Sequence, residues 1–361
     1  MNDVQNAIRA ILSSSSNPMS VSDICAAIAS KLDYRIPESS IRSSLRIQSR
    51  KNDGLFTCIS RGVYAMNPRL DSKTYRYGNC ELVNADAFSY MSTMPTESVH
   101  AVVTDPPYGL VEYKEEQIDK LRKGRGGIWR LPPSFDGARR SPLPRFTTLT
   151  KSDRQNLYEY FKCFGELCMS ALVPGANVVV ASNPLVCHIV ASALEDAGLE
   201  TRGQIVRLVQ TMRGGDRPKG GESDYHGVSV MPRSQFEPWV MMRKPLSMTV
   251  ASNLDSYGTG GWMRLDEDHP FGDVIKSSPT NTSERKIANH PSLKPQKLLR
   301  HIVRGVLPLG EGVVLDPFAG SGSTLAACEA VGYKSIGIER DAQYFDLACD
   351  AIPRLAQLDL H

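Results

Sequence analysis

The sequence predicts a doubly wound α/β domain that follows a small N-terminal domain of three helices and a β-hairpin. Three observations support this fold class. An apolar run at residues 99–103 stops abruptly at the Asp-Pro-Pro-Tyr sequence of residues 105–108. Residues 313–339 have the pattern of a strand, a glycine loop, a helix and a strand that closes in Glu339. Ahead of both, residues 4–66 show three helical stripes and then two short strand patterns.

The first 70 residues predict a winged-helix domain. Apolar residues recur at helical spacing in residues 4–16 and 21–32, and Pro37 opens a third helix. The Asn-Asp-Gly sequence at 52–54 is a hairpin signal, and strand-forming residues follow it on both sides of a second turn. Three helices and a hairpin in this order make up the winged-helix plan.

This N-terminal domain is expected to contact DNA. Residues 1–76 hold eleven Lys or Arg against six Asp or Glu, a larger basic surplus than that of the whole chain. The basic residues recur along the third helix, where a recognition helix would face phosphate. The alternative is a small interaction domain with a solvated charged face.

The overall composition predicts a cytoplasmic globular protein. The 361 residues are 41% hydrophobic and carry a formal net charge of only +3, which does not by itself demand a polyanion partner. The sequence shows no signal-peptide pattern and no apolar run of membrane-spanning length. Its eight cysteines include no CxxC pair, which predicts buried thiols and no zinc or other metal site.

A linker is predicted at residues 67–76, and the second domain extends over residues 77–361. Within it, strand and helix patterns alternate as in a parallel sheet. Helices are predicted at 153–173, 186–194, 295–306, 325–331 and 342–355, and strands at 81–87, 99–103, 178–182, 204–209, 239–243, 313–315 and 334–339. Two stretches, at about 110–150 and 210–290, are largely irregular and partly basic, so they are predicted to be target-recognition loops.

The loop after residue 103 has the chemistry to hold a planar heterocycle by an amino group. Pro106 and Pro107 lack N–H groups and cannot continue a strand or a helix, so the chain leaves the sheet as a rigid, extended loop. Asp105 supplies a carboxylate, the prolines leave backbone carbonyls to accept hydrogen bonds, and Tyr108 offers a ring for stacking. The alternative is a strand terminator with a capping Asp.

The glycine loop near the C-terminus predicts a nucleoside pocket. Glycines at 320 and 322 allow close approach of the backbone, and Glu339 at the end of the next strand would bind ribose hydroxyls. Asp316 at the end of the first strand would repel a pyrophosphate but attract an amino group and a sulfonium. These residues therefore favour S-adenosylmethionine over NAD.

Together these motifs resemble those of the amino-group DNA methyltransferases of the permuted beta class. Asp105-Pro106-Pro107-Tyr108 comes first and Asp316-Pro317-Phe318-Ala319-Gly320-Ser321-Gly322-Ser323 comes last, with His290-Pro291-Ser292-Leu293-Lys294-Pro295, Gly337-Ile338-Glu339 and Tyr344 also matching. The resemblance covers roughly residues 77–355. The chain has Ser323 where the family has Thr, and Asn84-Ala85-Asp86 where the family often has Gly-Asp. The front of the chain, including Gly62-Val63-Tyr64-Ala65, resembles a HARE-HTH winged helix.

The resemblance implies a Rossmann-like, doubly wound, seven-stranded methyltransferase sheet in circularly permuted order, with its third strand first. It implies S-adenosylmethionine as the cofactor and double-stranded DNA as the substrate. The implied catalytic residues are Asp105, Pro106, Pro107 and Tyr108. The implied cofactor-binding residues are Asp86, Asp105, Lys294, Asp316, Phe318, Ala319, Gly320, Ser321, Gly322, Ser323, Thr324, Glu339 and Arg340. For Lys294, a candidate for the cofactor's carboxylate, the alternative is a surface lysine ahead of a helix.

The reaction implied is methylation of the N6 amino group of an adenine flipped out of the duplex, because Asp opens the catalytic motif. Cytosine N4 is the nearest alternative. Methylation of a protein glutamine or of RNA fits less well, since such relatives usually have Asn before Pro-Pro-Tyr and the cofactor motif first. A catalytically retired DNA-binding regulator would predict damage to Asp105, Tyr108 or Gly320, which are intact. A homodimer and a cognate restriction endonuclease are the expected protein partners.

Overall fold

The computed structural model describes residues 3–15, 18–31, 36–50, 54–67, 72–107, 150–209, 218, 220–221, 223–290 and 293–359. Tyr108, Pro291, Ser292 and nearly all of the predicted recognition loop at 110–150 lie outside these residues. Among the described helices, none has both the length and the apolar character needed to cross a membrane.

The N-terminal unit contains the three predicted helices, α1 (Asp3–Ser13), α2 (Val21–Lys31) and α3 (Glu38–Gln48). The predicted hairpin is formed by β2 (Phe56–Ser60) and β3 (Val63–Met66), and a short strand, β1 (Met19–Ser20), pairs with the outer edge of β3. Both strand pairings are antiparallel. The helices bury their apolar stripes in one core around Ile8, Ile24, Ile41, Leu45 and Phe56. This core is separate from the cores on the two faces of the large sheet described below.

The rest of the described chain is built on one large mixed sheet. Its strands are β4 (Thr74–Tyr77), β5 (Cys80–Asn84), β6 (Val99–Thr104), β7 (Leu172–Ala181), β8 (Glu200–Leu208), β9 (Phe236–Arg243), β10 (Val274–Lys276), β11 (Val313–Asp316) and β12 (Lys334–Glu339). They lie in the order β10-β8-β9-β7-β6-β11-β12-β5-β4. Only β4 and β9 run antiparallel to their neighbours.

The helices of this domain are α4 (Ala87–Met91), α5 (Lys151–Ala171), α6 (Cys187–Asp196), α7 (Val250–Tyr257), α8 (Thr282–Ile287), α9 (Gln296–Val306), α10 (Ser323–Val331) and α11 (Ala342–Ala356). They cover both faces of the sheet. Val102 and Val178 face a core with residues of α5 and α6, whereas Ala101, Val103 and Val179 face a second core with residues of α9. Alternate residues of one strand therefore enter opposite cores, as the predicted doubly wound fold requires.

Among the described residues the sheet has nine strands, not the seven predicted, because two lie where no strand was expected. β4 falls in the predicted linker and forms a hairpin with β5. β10 falls in the stretch at 245–290 that was predicted to be irregular, and it extends the sheet beside β8. That stretch also contains α7 and α8, whose N-termini are capped by Thr249 and Asn281. The prediction of irregular structure was therefore wrong for these segments, whereas the role of the stretch in target recognition stays a prediction.

A second correction concerns Pro174-Gly175, which the sequence suggested as the end of a helix. The helix α5 ends at Ala171, and β7 begins at once and runs through both residues. Gly175 has a φ of 79°, and its close approach to Asn253 leaves no room for a side chain. Asn253 donates a hydrogen bond to the carbonyl of Pro174 at 2.9 Å. The buried Asn253 side chain therefore provides a hydrogen bond to the backbone of β7 at a proline, which has no N–H for the ladder.

The centre of the sheet brings together segments that are distant in sequence. β5 and β6 follow each other in the described chain, yet β11 and β12 lie between them. The pair Val314 and Ala101 joins β11 to β6, and the pair Ile336 and Glu81 joins β12 to β5. All four strands are parallel, so their carboxyl ends form one edge, which is where such sheets bind ligands.

Candidate active site

A cleft lies at the carboxyl edge of β6 and β11. Its lining combines carboxylates, a lysine, a histidine, an aromatic pair and the glycine loop. The lining residues are Asp105, Trp239, His290, Lys294, Leu299, Asp316, Phe318, Ala319, Gly320, Ser321, Ser323 and Thr324. The predicted catalytic loop and the predicted cofactor loop therefore open into the same space.

Asp105 enters the cleft directly after β6 and forms an ion pair there. Its Oδ2 lies 2.9 Å from the Nζ of Lys294, which also lies 3.4 Å from Oε1 of Glu237. Only 13% of the Lys294 side chain is exposed, so its interpretation as a surface lysine was wrong. Burial lowers the pKa of Lys294, but the charges of Asp105 and Glu237 overcome this and raise that pKa above its ordinary value. Lys294 therefore stays cationic.

Glu237 connects this lysine to the neighbouring strand. Its carboxylate accepts hydrogen bonds from Nη1 of Arg207 at 3.1 Å and from Nε1 of Trp239 at 2.9 Å. Burial would raise the pKa of Glu237, but Lys294 and Arg207 together hold it below its ordinary value. The sequence did not predict a role for Glu237, Arg207 or Trp239. The pattern of one strand does not indicate which residues of other segments lie beside it in the sheet.

Asp316 lies beneath the cleft at the end of β11. Its Oδ1 accepts hydrogen bonds from Oγ1 of Thr104 at 2.6 Å and from the backbone N–H of Phe318 at 3.1 Å. Burial raises the pKa of Asp316 to about 6, although hydrogen bonds from Thr104, Thr324 and Phe318 oppose the shift. The bond with Thr104 joins the last residues of β6 and β11. The strand that leads into the predicted catalytic loop is therefore directly linked to the strand that leads into the predicted cofactor loop.

The glycine loop is held by Glu339. Its Oε2 accepts the backbone N–H of Gly320 at 2.8 Å, and its Oε1 accepts that of Asp341 at 2.7 Å. Gly320 has a φ of 52°, and a Cβ there would lie 3.1 Å from the ring of His290. Gly322 has a φ of 77°, and a Cβ there would lie 2.5 Å from Ile352. Both positions therefore require glycine.

Four of the predicted cofactor residues are not among those that line the cleft: Asp86, Gly322, Glu339 and Arg340. Asp86 caps the N-terminus of α4, where it accepts hydrogen bonds from the backbone N–H and the hydroxyl of Ser89, both at 2.9 Å. Arg340 follows β12, and its carbonyl accepts a hydrogen bond from Asn84 at 3.2 Å. Since β5 and β12 are neighbours, Asp86, Glu339 and Arg340 share one end of the sheet. Pro106 is buried and Pro107 is exposed.

An aromatic cluster stands behind the glycine loop. The ring centroid of Phe318 lies 5.7 Å from that of Phe164, 6.3 Å from that of Tyr160 and 6.4 Å from that of Phe88. Burial raises the pKa of Tyr160, and the charge of Asp86 acts in the same direction. Tyr160 and Phe164 were recognised only as members of a helical apolar stripe. Their spacing on α5 indicates a buried face but not what that face contacts.

The sequence model of the N6_N4_Mtase family, described as DNA methylase, matches residues 99–350. Among curated proteins, the Type II methyltransferase M.HindIII of Haemophilus influenzae is 24% identical over 298 residues, which cover 75% of this chain and 94% of that protein. The Type II methyltransferase M2.DpnII of Streptococcus pneumoniae is 24% identical over 281 residues, covering 76% and 90% respectively.

Solved structures with similar folds include the PvuII DNA methyltransferase (cytosine-N4-specific). It is 15% identical, with a TM-score of 0.49 over 79% of this chain and 88% of that one. Another is a protein from Thermus thermophilus, named as a candidate DNA modification methylase, in complex with S-adenosyl-L-methionine. It is 21% identical, with a TM-score of 0.46 over 75% of this chain and 94% of that one.

Proposed function

From the membership of this chain in the N6/N4 DNA methylase family, we propose that it methylates the N6 amino group of adenine in double-stranded DNA. The enzyme is a DNA methyltransferase, and its methyl donor is S-adenosylmethionine. One observation carries the proposal: Asp105, at the end of β6, opens into the same cleft as the glycine loop after β11. The acceptor amine and the donor would thus meet at one edge of the sheet.

The residues of the cleft fit this cofactor. S-adenosylmethionine carries a ribose with two hydroxyls, a methionine arm and a sulfonium cation. Glu339 is suited to the hydroxyls, and the glycine loop leaves space against His290 that a Cβ at Gly320 would fill. Asp316 places a negative charge under the loop. When bound, the cofactor supplies an electrophilic methyl group.

We assign the remaining cofactor contacts to residues around the same edge. Asp86 is the candidate for the adenine amino group of the cofactor, with Arg340 beside it. Phe318 and Gly322 would line the methionine arm, together with Ala319, Ser321, Ser323 and Thr324. A lysine ammonium has three donors, so the contacts of Lys294 with Asp105 and Glu237 leave one donor for the cofactor's carboxylate.

The catalytic loop would make the target amine reactive by holding its hydrogens. An exocyclic amine is a poor nucleophile because its lone pair is delocalised into the ring. Asp105 would accept one N–H and the carbonyl of Pro106 the other, with Pro107 keeping the loop extended, which localises the lone pair and orients it. Positioning of this kind contributes up to about 7–11 kcal/mol in ideal cases. Tyr108 would stack on the flipped base, which is worth roughly 1–3 kcal/mol.

Methyl transfer to unmethylated duplex DNA, with nucleoside analysis of the product, tests the proposal. Radiolabel from S-adenosylmethionine is expected in N6-methyl-2′-deoxyadenosine. Label in N4-methylcytosine would support the same mechanism with cytosine, and not adenine, as the target base. No label in any DNA, despite measurable cofactor binding, would contradict the proposal and favour the retired regulator.

The pH dependence of cofactor binding should follow Asp316. Its pKa of about 6 means that it is ionised at pH 7.5 and largely protonated at pH 5. Because the protonated form loses its attraction for a cationic ligand, affinity for S-adenosylmethionine should fall about ten-fold at pH 5. Calorimetry between pH 5 and 8 measures the change. Asp316→Asn should flatten this dependence, whereas Asp346→Asn, at an exposed ion pair with Lys73, should preserve it.

We propose that residues 1–70 form a DNA-binding domain of the winged-helix type. Its basic residues on α3 would contact phosphate. Deleting residues 1–70 should therefore weaken DNA binding and reduce its salt dependence, with little change in cofactor affinity. Fluorescence anisotropy with labelled duplex at several salt concentrations measures both quantities. If DNA affinity and its salt dependence are both unchanged by the deletion, this unit does not contribute to DNA binding.

Two proposals concern the surroundings of the enzyme. The Type II names of its relatives support a place in a restriction–modification system, and we propose a cognate endonuclease of the same DNA specificity. A homodimer is proposed as the oligomeric state. We also propose that the catalytic motif precedes the cofactor motif here because the fold is circularly permuted.

A further inference from the structure

A row of four charged side chains crosses the sheet edge and ends at Asp105. Arg207 lies on β8, Glu237 on β9, Lys294 just before α9, and Asp105 after β6. The distances between successive partners are 3.1, 3.4 and 2.9 Å. The charges alternate in sign, so each member except the first and last lies between two opposite charges. The row therefore connects the outer strands of the sheet to the catalytic loop.

All four side chains are largely withdrawn from solvent. Their exposed fractions are 6% for Arg207, 18% for Glu237, 13% for Lys294 and 16% for Asp105. Placing charges in such an environment is costly, and removing one member leaves its neighbour without compensation. A buried, alternating row is consequently stiff, because each side chain would lose a partner by moving away.

The outer end of the row is fixed by more than one contact. The Nε of Arg207 donates to the hydroxyl of Ser277 at 3.1 Å, and its Nη2 donates to the carbonyl of Ser278 at 3.2 Å. Trp239 donates to Glu237 from within β9 and places its ring 6.0 Å from the Nζ of Lys294. Glu237 is thus held by both Arg207 and Trp239, and its fixed position in turn orients Lys294.

We infer that Arg207 and Glu237 are positioning residues for methyl transfer, which hold Lys294 against Asp105 and thereby fix the orientation of the catalytic carboxylate. This inference rests on the proposed role of Asp105. Neither residue touches the target amine. Glu237 anchors the lysine, and Arg207 keeps Glu237 charged and in place. Loss of either would leave Asp105 paired with a lysine that has lost its anchor, so the amine would be held in the wrong orientation more often.

The same two strands provide a matched control. Arg207 and Glu237 are direct cross-strand partners in the ladder of β8 and β9, and so are Glu200 and Arg243 at its other end. Arg243 donates to Glu200 through Nε at 3.0 Å, but this pair has no contact with Lys294 or Asp105 among the described residues. Glu200→Gln therefore breaks an Arg–Glu pair of the same ladder without touching the row.

The test compares Glu237→Gln with Glu200→Gln in the full-length protein. Glu237→Gln should lower kcat about 10–100-fold while KM for DNA stays within about three-fold, as for loss of an interaction that matters mainly in the transition state. Glu200→Gln should leave kcat unchanged within about two-fold. Arg207→Lys, which keeps a cation beside Glu237, should lose less activity than Arg207→Gln.

The ionisation of Lys294 provides a readout that does not depend on activity. The charged groups around its ammonium are Asp105, Glu237 and Arg207, with His290 and Asp316 in the same cleft. Because Glu237 helps to raise the pKa of Lys294, Glu237→Gln should lower that pKa. NMR titration of ¹³C-labelled lysine, assigned with Lys294→Met, measures the shift directly.

Several results would overturn the inference. One is a loss of kcat in Glu237→Gln no greater than that in Glu200→Gln. Another is a loss of kcat with an unchanged titration of Lys294, which would mean that Glu237 acts by another route. A shifted titration without loss of kcat would remove the positioning role. If Glu237→Gln does not fold, Arg207→Lys and Arg207→Gln decide by the same criteria. Retained activity of Asp105→Ala would instead refute the proposed function itself.

Discussion

Replacing Asp105 with alanine is expected to abolish methylation while leaving cofactor binding nearly intact. The substitution removes the carboxylate that would accept an N–H of the target amine, at a position on the catalytic loop and not on the glycine loop. A loss of at least about a thousand-fold in kcat, or about 4 kcal/mol of barrier, is expected. Lys294 would keep Glu237 as its counter-charge, so the fold should survive.

The measurement is single-turnover methyl transfer at saturating DNA and S-adenosylmethionine, with cofactor affinity from calorimetry. Asp105→Asn is a useful second variant, because it preserves shape and removes the charge. Asp346→Ala, which breaks the exposed pair with Lys73, is the matched control and should retain full activity. Substantial methylation by Asp105→Ala would end the catalytic assignment of this residue.

Replacing Glu339 with alanine should produce the largest loss of cofactor affinity. The carboxylate would bind the ribose hydroxyls, and it already holds the glycine loop through the backbone N–H groups of Gly320 and Asp341. Hydrogen bonds to a charged acceptor contribute about 1.5–3 kcal/mol each, so the dissociation constant should rise at least about 100-fold. Calorimetric titration with S-adenosylmethionine measures the change.

The control for this variant is Glu329→Ala. Glu329 on α10 also accepts a backbone hydrogen bond, but from Asn79 at 2.8 Å, ahead of β5, and not from the glycine loop. Its loss should reduce stability slightly without changing cofactor affinity. If both variants bind the cofactor as the native protein does, Glu339 has no part in ribose recognition.

The sequence predicted the elements whose signals are local. Neither a strand nor a helix can continue through two consecutive prolines, so the chain had to leave the sheet directly after Asp105. The glycines at 320 and 322 mark backbone that other residues rarely adopt, and the acid Glu339 ends the next strand. The inner strands and helices of the doubly wound sheet followed from apolar runs of the right length.

What the sequence could not predict depends on pairing across the sheet. Glu237 is important because β9 lies beside β8, which brings Arg207 opposite it, and because Lys294 comes from a segment more than 50 residues later. No local sequence pattern indicates that these three residues come together. β4 and β10 are too short for periodicity to distinguish from a loop, and they become strands only by adding to an existing edge. Tyr108 lies outside the described residues, so its stacking role stays a prediction.

The interleaved order of the central strands has a consequence for how the chain folds. Strands β5 and β6 are synthesised well before the two strands that belong between them, and the bond from Thr104 to Asp316 spans 212 residues. Contacts of such long range carry a large loop-closure cost and slow folding. Until residues 313–339 have been synthesised, β5 and β6 expose unpaired edges in a partly built sheet, where aggregation is a hazard. The catalytic loop is therefore made first but becomes part of a site only after residues 313–339 have been added.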